Sequence, residues 1–234
     1  MGDGIDRDIL MKAYSDWVES YDVDADINPT FIAEKDHVRR LLKPEPTDRL
    51  LDLGCGTGRY LVPFSKEVEY ATGVDINGMM LAECRKKVRD HSLENVRLLE
   101  ADLDADFVKG LATHNKILAS QSIFHLADIC SFLKKVFSLL EEGGTFVFSD
   151  FYPGLKSPLA TFFYDRVARC GSLITIERDV CDVLDAINGA GFRLNEIVPC
   201  RVGPEHSRCL SKESFEANRG KPFLLIYSVN RPRS

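Results

Sequence analysis

The stretch LLDLGCGTGRY, Leu50 to Tyr60, runs from an apolar segment through Gly54, Gly56 and Gly58 into a helical pattern. Strand, tight turn and helix start in that order bring backbone N–H groups and a helix N-terminus against a ligand, at a distance only glycines allow. A dinucleotide fingerprint would need Gly or Ala where Arg59 stands, and a P-loop would need Lys-Ser or Lys-Thr after the glycines. Asp52, at the end of the strand, would repel a diphosphate and favour a ligand bearing an ammonium group. Asp75 stands 23 residues further on, closing the next apolar run, where a carboxylate can accept both ribose hydroxyls. The loop therefore reads as a site for a nucleoside with a zwitterionic or cationic portion.

Outward from this loop, short apolar runs alternate with helical patterns. Arg49–Leu53, Glu69–Asp75, Asn95–Glu100, Asn115–Gln121 and Gly144–Asp150 read as strands. Asn77 is placed to cap a helix to about Asp90, and Asp128 one to Leu140 that Gly143 and Gly144 end. Asp179 to Asn188 follows as a helix closed by Gly189 and Gly191, then Phe192–Val202 and Pro222–Val229 as strands. The expected fold is α/β: five β-α steps imply a parallel sheet, and seven strands result. Residues 1–48 carry two helices, Arg7–Ser20 and Pro29–Leu42, and read as an N-terminal helical cap on a domain spanning 49–234. Residues 151–178 read as an insert covering substrate, and both additions would roof the sheet's carboxyl edge.

Composition narrows the class. The 234 residues carry 30 Lys and Arg against 36 Asp and Glu, a formal charge of −6, which disfavours wide contact with nucleic acid. The Lys86–His91 stretch reads as a solvated helix end. No apolar run approaches the ~18 residues needed to cross a bilayer, and an acidic start with Asp6 argues against a secretory signal or a myristoylation site. A cytoplasmic, monomeric or homodimeric protein is expected. The seven cysteines are scattered and never form C-x-x-C, so neither a zinc site nor a disulfide framework is expected, and most read as buried small hydrophobes.

Together LLDLGCGTGR, the VDIN at Val74–Asn77, the EADL at Glu100–Leu103 and EEGGTFVFSD at Glu141–Asp150 resemble the class I S-adenosylmethionine-dependent methyltransferases over roughly residues 46–230. The resemblance implies S-adenosylmethionine as cofactor and a Rossmann-like, seven-stranded, mostly parallel sheet with helices on both faces and the last strand antiparallel. It implies Gly54, Gly56 and Gly58 along the methionine portion with Asp52 nearby, and Asp75 beside Ile76 on the ribose. Asp102 would take the adenine amino group next to Leu103, with Ser120 and Gln121 near the methionine amino group. AYSDWVESYD, Ala13 to Asp22, is similar to the aromatic segment covering the cofactor in small-molecule members, which would bring Tyr14 and Tyr21 to it. Tyr14, Trp17, Val18 and Tyr21 read equally as a core stripe at spacings of three and four. Arg59 could pair with the cofactor carboxylate or stand exposed on a first helical turn.

Methyl transfer from a sulfonium needs chiefly alignment and exclusion of water, and a base only where the acceptor must lose a proton. His125, in SQSIFHLAD after the fourth strand, is the catalytic candidate; its alternative is a packing or capping histidine. The resemblance places His125 second in an H-H-L-like segment whose first His is here Phe124. His206 and Glu205 could reach the same rim, or lie on a solvated loop. Asp150 reads as structural rather than catalytic. No N-P-P-Y or D-P-P-Y segment is present, and Pro199-Cys200 lies far along the chain from the fourth strand. The aromatics Tyr152, Phe162, Phe163 and Tyr164 could wall an apolar pocket. O- or N-methylation of a small molecule is thus the leading expectation. An RNA or protein methyltransferase and a non-catalytic cofactor-binding regulator are the rivals.

Overall fold

A computed structural model describes residues 7–25, 27–153, 176 and 178–233. The chain runs α1 (Arg7–Trp17), α2 (Tyr21–Ala25), α3 (Pro29–Leu42), β1 (Arg49–Leu53), α4 (Leu61–Ser65), β2 (Tyr70–Asp75), α5 (Gly78–Asp90) and β3 (Val96–Glu100). It continues β4 (His114–Ala119), α6 (Ile129–Leu139), β5 (Leu140–Phe151), α7 (Val180–Ala190), β6 (Arg193–Arg201), α8 (Lys212–Asn218) and β7 (Pro222–Asn230). Seven strands form one sheet in the order β3-β2-β1-β4-β5-β7-β6. The first five are parallel, and β7 runs antiparallel between β5 and β6.

The alternation of strand side chains builds two cores. Leu51, Leu53, Ile117, Phe146 and Phe148 point to one face, where Phe132, Leu133 and Val136 of α6 and Val183 and Ile187 of α7 cover them. Leu50, Leu118 and Val147 point to the other, under Val38 and Leu42 of α3, Leu61 and Phe64 of α4 and Leu81 of α5. This period of two puts apolar residues on both faces of the central strands, as a parallel sheet between helical layers requires. Each large side chain fully buried this way contributes roughly 1.5–3 kcal/mol.

The helix starts follow the capping residues. Asn28 accepts from the Thr30 N–H with Pro29 opening α3, Asn77 accepts from Met79 and Met80, Asp128 from Ser131, and Asp179 from Cys181. Three expectations need correction. The Arg7–Ser20 helix stops at Trp17, because Asp24 accepts from both the Trp17 indole (2.8 Å) and Ser20 Oγ (2.9 Å), turning the chain into α2. The sixth helix ends at Leu139, before the glycines, since Leu140 is already extended and pairs with His114 across the sheet. Gly189 lies inside α7, and only Gly191, at φ 94°, caps it. α3 lies against the sheet rather than over its edge, leaving α1 and α2 as the elements above the cleft.

The cysteines divide: Cys55, Cys84 and Cys200 are buried, Cys209 is intermediate, and Cys130 and Cys181 are exposed, so burial holds for only part of the set. No helix among the described residues is long and apolar enough to cross a membrane. Phe162, Phe163, Tyr164 and Cys170, with most of the 151–178 segment, lie outside the described residues.

Candidate active site

A cleft with about 710 Å³ of space, its open mouth included, lies at the carboxyl ends of β1, β2 and β4. One wall is the glycine loop. Gly54 and Gly58 hold left-handed backbone at φ 77° and 84°. A Cβ on Gly54 would stand 2.4 Å from Ser122 Cβ, and one on Gly58 would stand 2.6 Å from Cys84 Sγ. Gly54 thus permits the approach of the β4 loop, and Gly58 that of α5. Four of the loop's donors are spent inside the protein. Gly54 and Cys55 N–H both donate to the Val74 carbonyl (2.7 and 3.0 Å), Gly58 donates to Cys55 O (2.9 Å) and Gly56 to Asp75 Oδ2 (2.8 Å). Contrary to expectation, these four N–H groups therefore do not face a ligand, which weakens the cradle a diphosphate would need. α4, with five residues, is too short to offer the expected helix N-terminus.

Asp75 ends β2 with its carboxylate also accepting the Asn77 N–H at 2.8 Å. Burial pushes its pKa up, while the three backbone donors of Gly56, Ile76 and Asn77 pull it down. The Gly56 and Asn77 hydrogen bonds occupy two of a carboxylate's about four acceptor positions, which leaves room for hydroxyls. Ile76, Asp102 and Leu103 continue this wall. Asp102 faces Arg7 at 3.2 Å and takes the Asp104 N–H at 2.9 Å.

Ser120 and Gln121 form the floor at the mouth of β4. Gln121, at φ 51°, is held by its N–H on Ser149 Oγ (2.9 Å) and by Thr30 Oγ1 on its Oε1 (2.7 Å). Beneath it lies Glu34, a fully buried carboxylate that accepts from Ser120 Oγ (2.5 Å), Arg59 Nη2 (2.7 Å), Tyr60 Oη (3.2 Å) and Ser149 Oγ (3.0 Å). Sequence reasoning missed Glu34, yet it interrupts the buried stripe Phe31, Val38, Leu42 at helical spacing. A charge inside such a stripe signals a buried pair.

Arg7, Leu10, Met11 and Tyr14 of α1, with Tyr21 of α2, cover the cleft. Asn77 Nδ2 fixes α1 by donating to Met11 O and Ser15 Oγ, both at 3.0 Å. Arg7 pairs with Asp104 as well as Asp102. Leu10, Ala13 and Trp17 form a small core on which Tyr14 and Tyr21 rest, and both tyrosines also line the cleft. His125 sits in the turn Ile123–His125, buried, with its Nε2 2.9 Å from Tyr14 Oη. Burial raises the Tyr14 pKa well above its ordinary value, helped by Tyr21 and Asp75. The phenol stays protonated, and in the Nδ1–H tautomer of His125 it donates to Nε2.

The cleft thus gathers Tyr14, Tyr21, Gly54, Gly56, Asp75, Ile76, Asp102, Leu103, Ser120, Gln121 and His125. Asp52, Gly58 and Arg59 stand behind the wall. Asp52 is 2% exposed, takes a hydrogen bond from the Leu61 backbone and titrates at about 7, raised by burial against the pull of Arg59. Arg59 is spent on Glu34 and on the Phe31 ring 3.7 Å below it. His206 is fully buried, bonding Gly203 N and Pro29 O, which excludes the solvated-loop reading. Asp150 is buried against Arg178.

Two features test the fit to S-adenosylmethionine. Gly56 has open space where a Cβ would stand, so a ligand can lie against the backbone. Gln121 Nε2 is buried with no partner among the described residues, a donor available to an acceptor in the cleft. With Asp75 for hydroxyls and Asp102 for an amino group, these residues fit an amino-acid nucleoside.

The profile of the family described as a methyltransferase domain matches residues 44–199. The chain is 28% identical over 143 residues to malonyl-[acyl-carrier protein] O-methyltransferase of Paenibacillus sp. (strain JDR-2), covering 57% of this chain and 51% of that protein. It is 34% identical over 84 residues to the 23S rRNA (uracil(1939)-C(5))-methyltransferase RlmD of Xanthomonas campestris pv. campestris (strain 8004), covering 36% and 18%. The chain therefore spans about half the length, or much less, of these curated relatives. Among solved structures, a putative S-adenosylmethionine-dependent methyltransferase from Listeria monocytogenes superposes with a TM-score of 0.68 at 18% identity, covering 86% of this chain and 99% of that one.

Proposed function

The chain belongs to the methyltransferase-domain family, and from that premise we propose that it transfers a methyl group from S-adenosylmethionine to an oxygen or nitrogen of a small organic acceptor. S-adenosylmethionine, the donor this family implies, supplies when bound an electrophilic methyl on a good leaving group. The chain's own residues then bind, align and keep water out. Asp75 holds hydroxyls, Asp102 an amino group, and the Gln121 amide an acceptor.

The observation that carries the reading is the Tyr14–His125 hydrogen bond across the covered side of the cleft. An acceptor O–H or N–H placed beside Tyr14 passes its proton to Oη while the phenol proton moves to His125 Nε2. The phenol is regenerated and the charge rests on the imidazolium. His125 is the base and Tyr14 the relay. A small acceptor is supported by the α1 side chains that close over the cleft, and by the O-methyltransferase relative, which matches more of the chain than the rRNA enzyme does.

Titration calorimetry with S-adenosylmethionine and with S-adenosylhomocysteine tests the donor. Both should bind, and Asp75→Ala should weaken each at least about tenfold, the loss of one to two hydrogen bonds to a charged group. Absence of binding by either compound would remove the reading. Binding without turnover across a broad panel of hydroxyl and amine acceptors would favour a cofactor-binding regulator instead.

A further inference from the structure

At the end of β5, Asp150 meets Arg178, with Nη1 3.4 Å from Oδ2 and only 6% and 4% of the two side chains exposed. The second guanidinium nitrogen donates to the carbonyl of Leu126. Two residues earlier in the chain, the Ile176 N–H donates to the Phe124 carbonyl at 2.8 Å. The residues on either side of His125 are thus each tied to the segment leading into α7. Within the turn the remaining backbone bonds are local, from His125 N to Ser122 O at 3.3 Å and from Leu126 N to Ile123 O at 3.0 Å. The Phe124 ring packs at a tilt of 34° against Phe151, the residue after Asp150, with centroids 4.6 Å apart.

We infer that Arg178 is a positioning residue: by joining the Leu126 carbonyl to Asp150 at the tip of β5 it fixes the turn from which His125 meets Tyr14. A guanidinium suits this task because its planar fork engages two acceptors in different directions, which an ammonium or a neutral side chain does not. A buried ion pair by itself is weak evidence for stability. Here the pair links two separate elements to the one turn that presents the imidazole, so its consequence is local geometry. The inference rests on the reading of His125 as the proton acceptor, but its test observes the imidazole directly.

Long-range ¹H–¹⁵N spectra of the full chain with S-adenosylhomocysteine report the His125 Nε2 resonance. Tyr14→Phe removes the hydrogen bond and defines the shift that its loss produces. In Arg178→Met, the resonance should move to the Tyr14→Phe position while S-adenosylhomocysteine affinity stays within about twofold. Should Arg178→Met fail to fold because Asp150 is left buried and unpaired, the double variant Asp150→Asn/Arg178→Met removes both charges and carries the same expectation. A displacement under half that of Tyr14→Phe in the folded variant overturns the positioning role. If Tyr14→Phe itself leaves His125 unmoved, the dyad fails, and a lack of methyl transfer with these shifts intact fails the proposed activity alone.

Discussion

The glycine-loop wall and the α1 roof face each other across one cleft, and they are held by different means. The wall closes on itself through short, buried contacts: Gly54 and Cys55 on Val74, Gly56 on Asp75, and Gly58 packed against Cys84. The roof is joined by side-chain contacts between distant residues, Tyr14 to His125, Asn77 to Ser15 and the Met11 backbone, Arg7 to Asp102 and Asp104. A surface that binds the same donor in every member of a family can be rigid and locally encoded. A surface that meets a particular acceptor is assembled from contacts that can be exchanged one at a time, and the low cost of each makes it the mobile side.

The largest effect should fall on chemistry at the roof. His125→Ala is expected to reduce turnover by roughly 10²- to 10⁴-fold, the usual worth of a general base. Donor affinity by calorimetry should change by less than about twofold, since His125 faces Tyr14 rather than the glycine loop. A parallel loss of donor affinity would mean that the two sides are one unit, and the contrast would collapse.

The next effect belongs to the wall. In Gly58→Ala the new methyl group would stand 2.6 Å from Cys84 Sγ and 2.9 Å from Val62 Cγ2, on backbone at φ 84°. Overpacking with left-handed strain should cost ~2–3 kcal/mol in denaturant unfolding. On the roof, Ser15→Ala loses one hydrogen bond from Asn77 and should cost ~1 kcal/mol or less. Equal losses from the two variants would contradict the difference in rigidity.

The same contrast separates what the sequence made legible. The donor wall is written in consecutive residues, so the strand, the glycines, Asp75 and the Asn77 cap were all readable from spacing, and the parallel part of the sheet followed from the β-α alternation. The acceptor side depends on pairs far apart in the chain, such as Tyr14 with His125 and Leu126 with Arg178. No local pattern could announce those pairs, though each partner's neighbourhood was noticed. Asp52 and Arg59 were drawn into the cleft because residues beside a glycine loop invite it. Burial on the far face of β1 and the unsuspected carboxylate of Glu34 claimed them instead. Short elements, α8 and the turn at His125, lack the length for a periodic signal.

Asp52 gives the smallest and most local test. Its carboxyl titrates at about 7 in the fold, because burial outweighs the Arg59 charge, against 3.8 for the ordinary side chain. Between those values the folded protein holds a proton that the unfolded chain has released, so stability falls as pH rises. The contribution is complete below about pH 4 and is lost through pH 7. Across pH 6 to 8 that one site amounts to on the order of 1 kcal/mol. The ligand-free protein should therefore unfold in less urea at pH 8 than at pH 6, and Asp52→Asn, which cannot ionise, should flatten that part of the curve. Parallel curves for the two proteins would mean that Asp52 is already charged at pH 6. A buried anion would then lie behind the glycine loop at all working pH values, and the wall would owe its rigidity to the Arg59 charge more than to backbone hydrogen bonds.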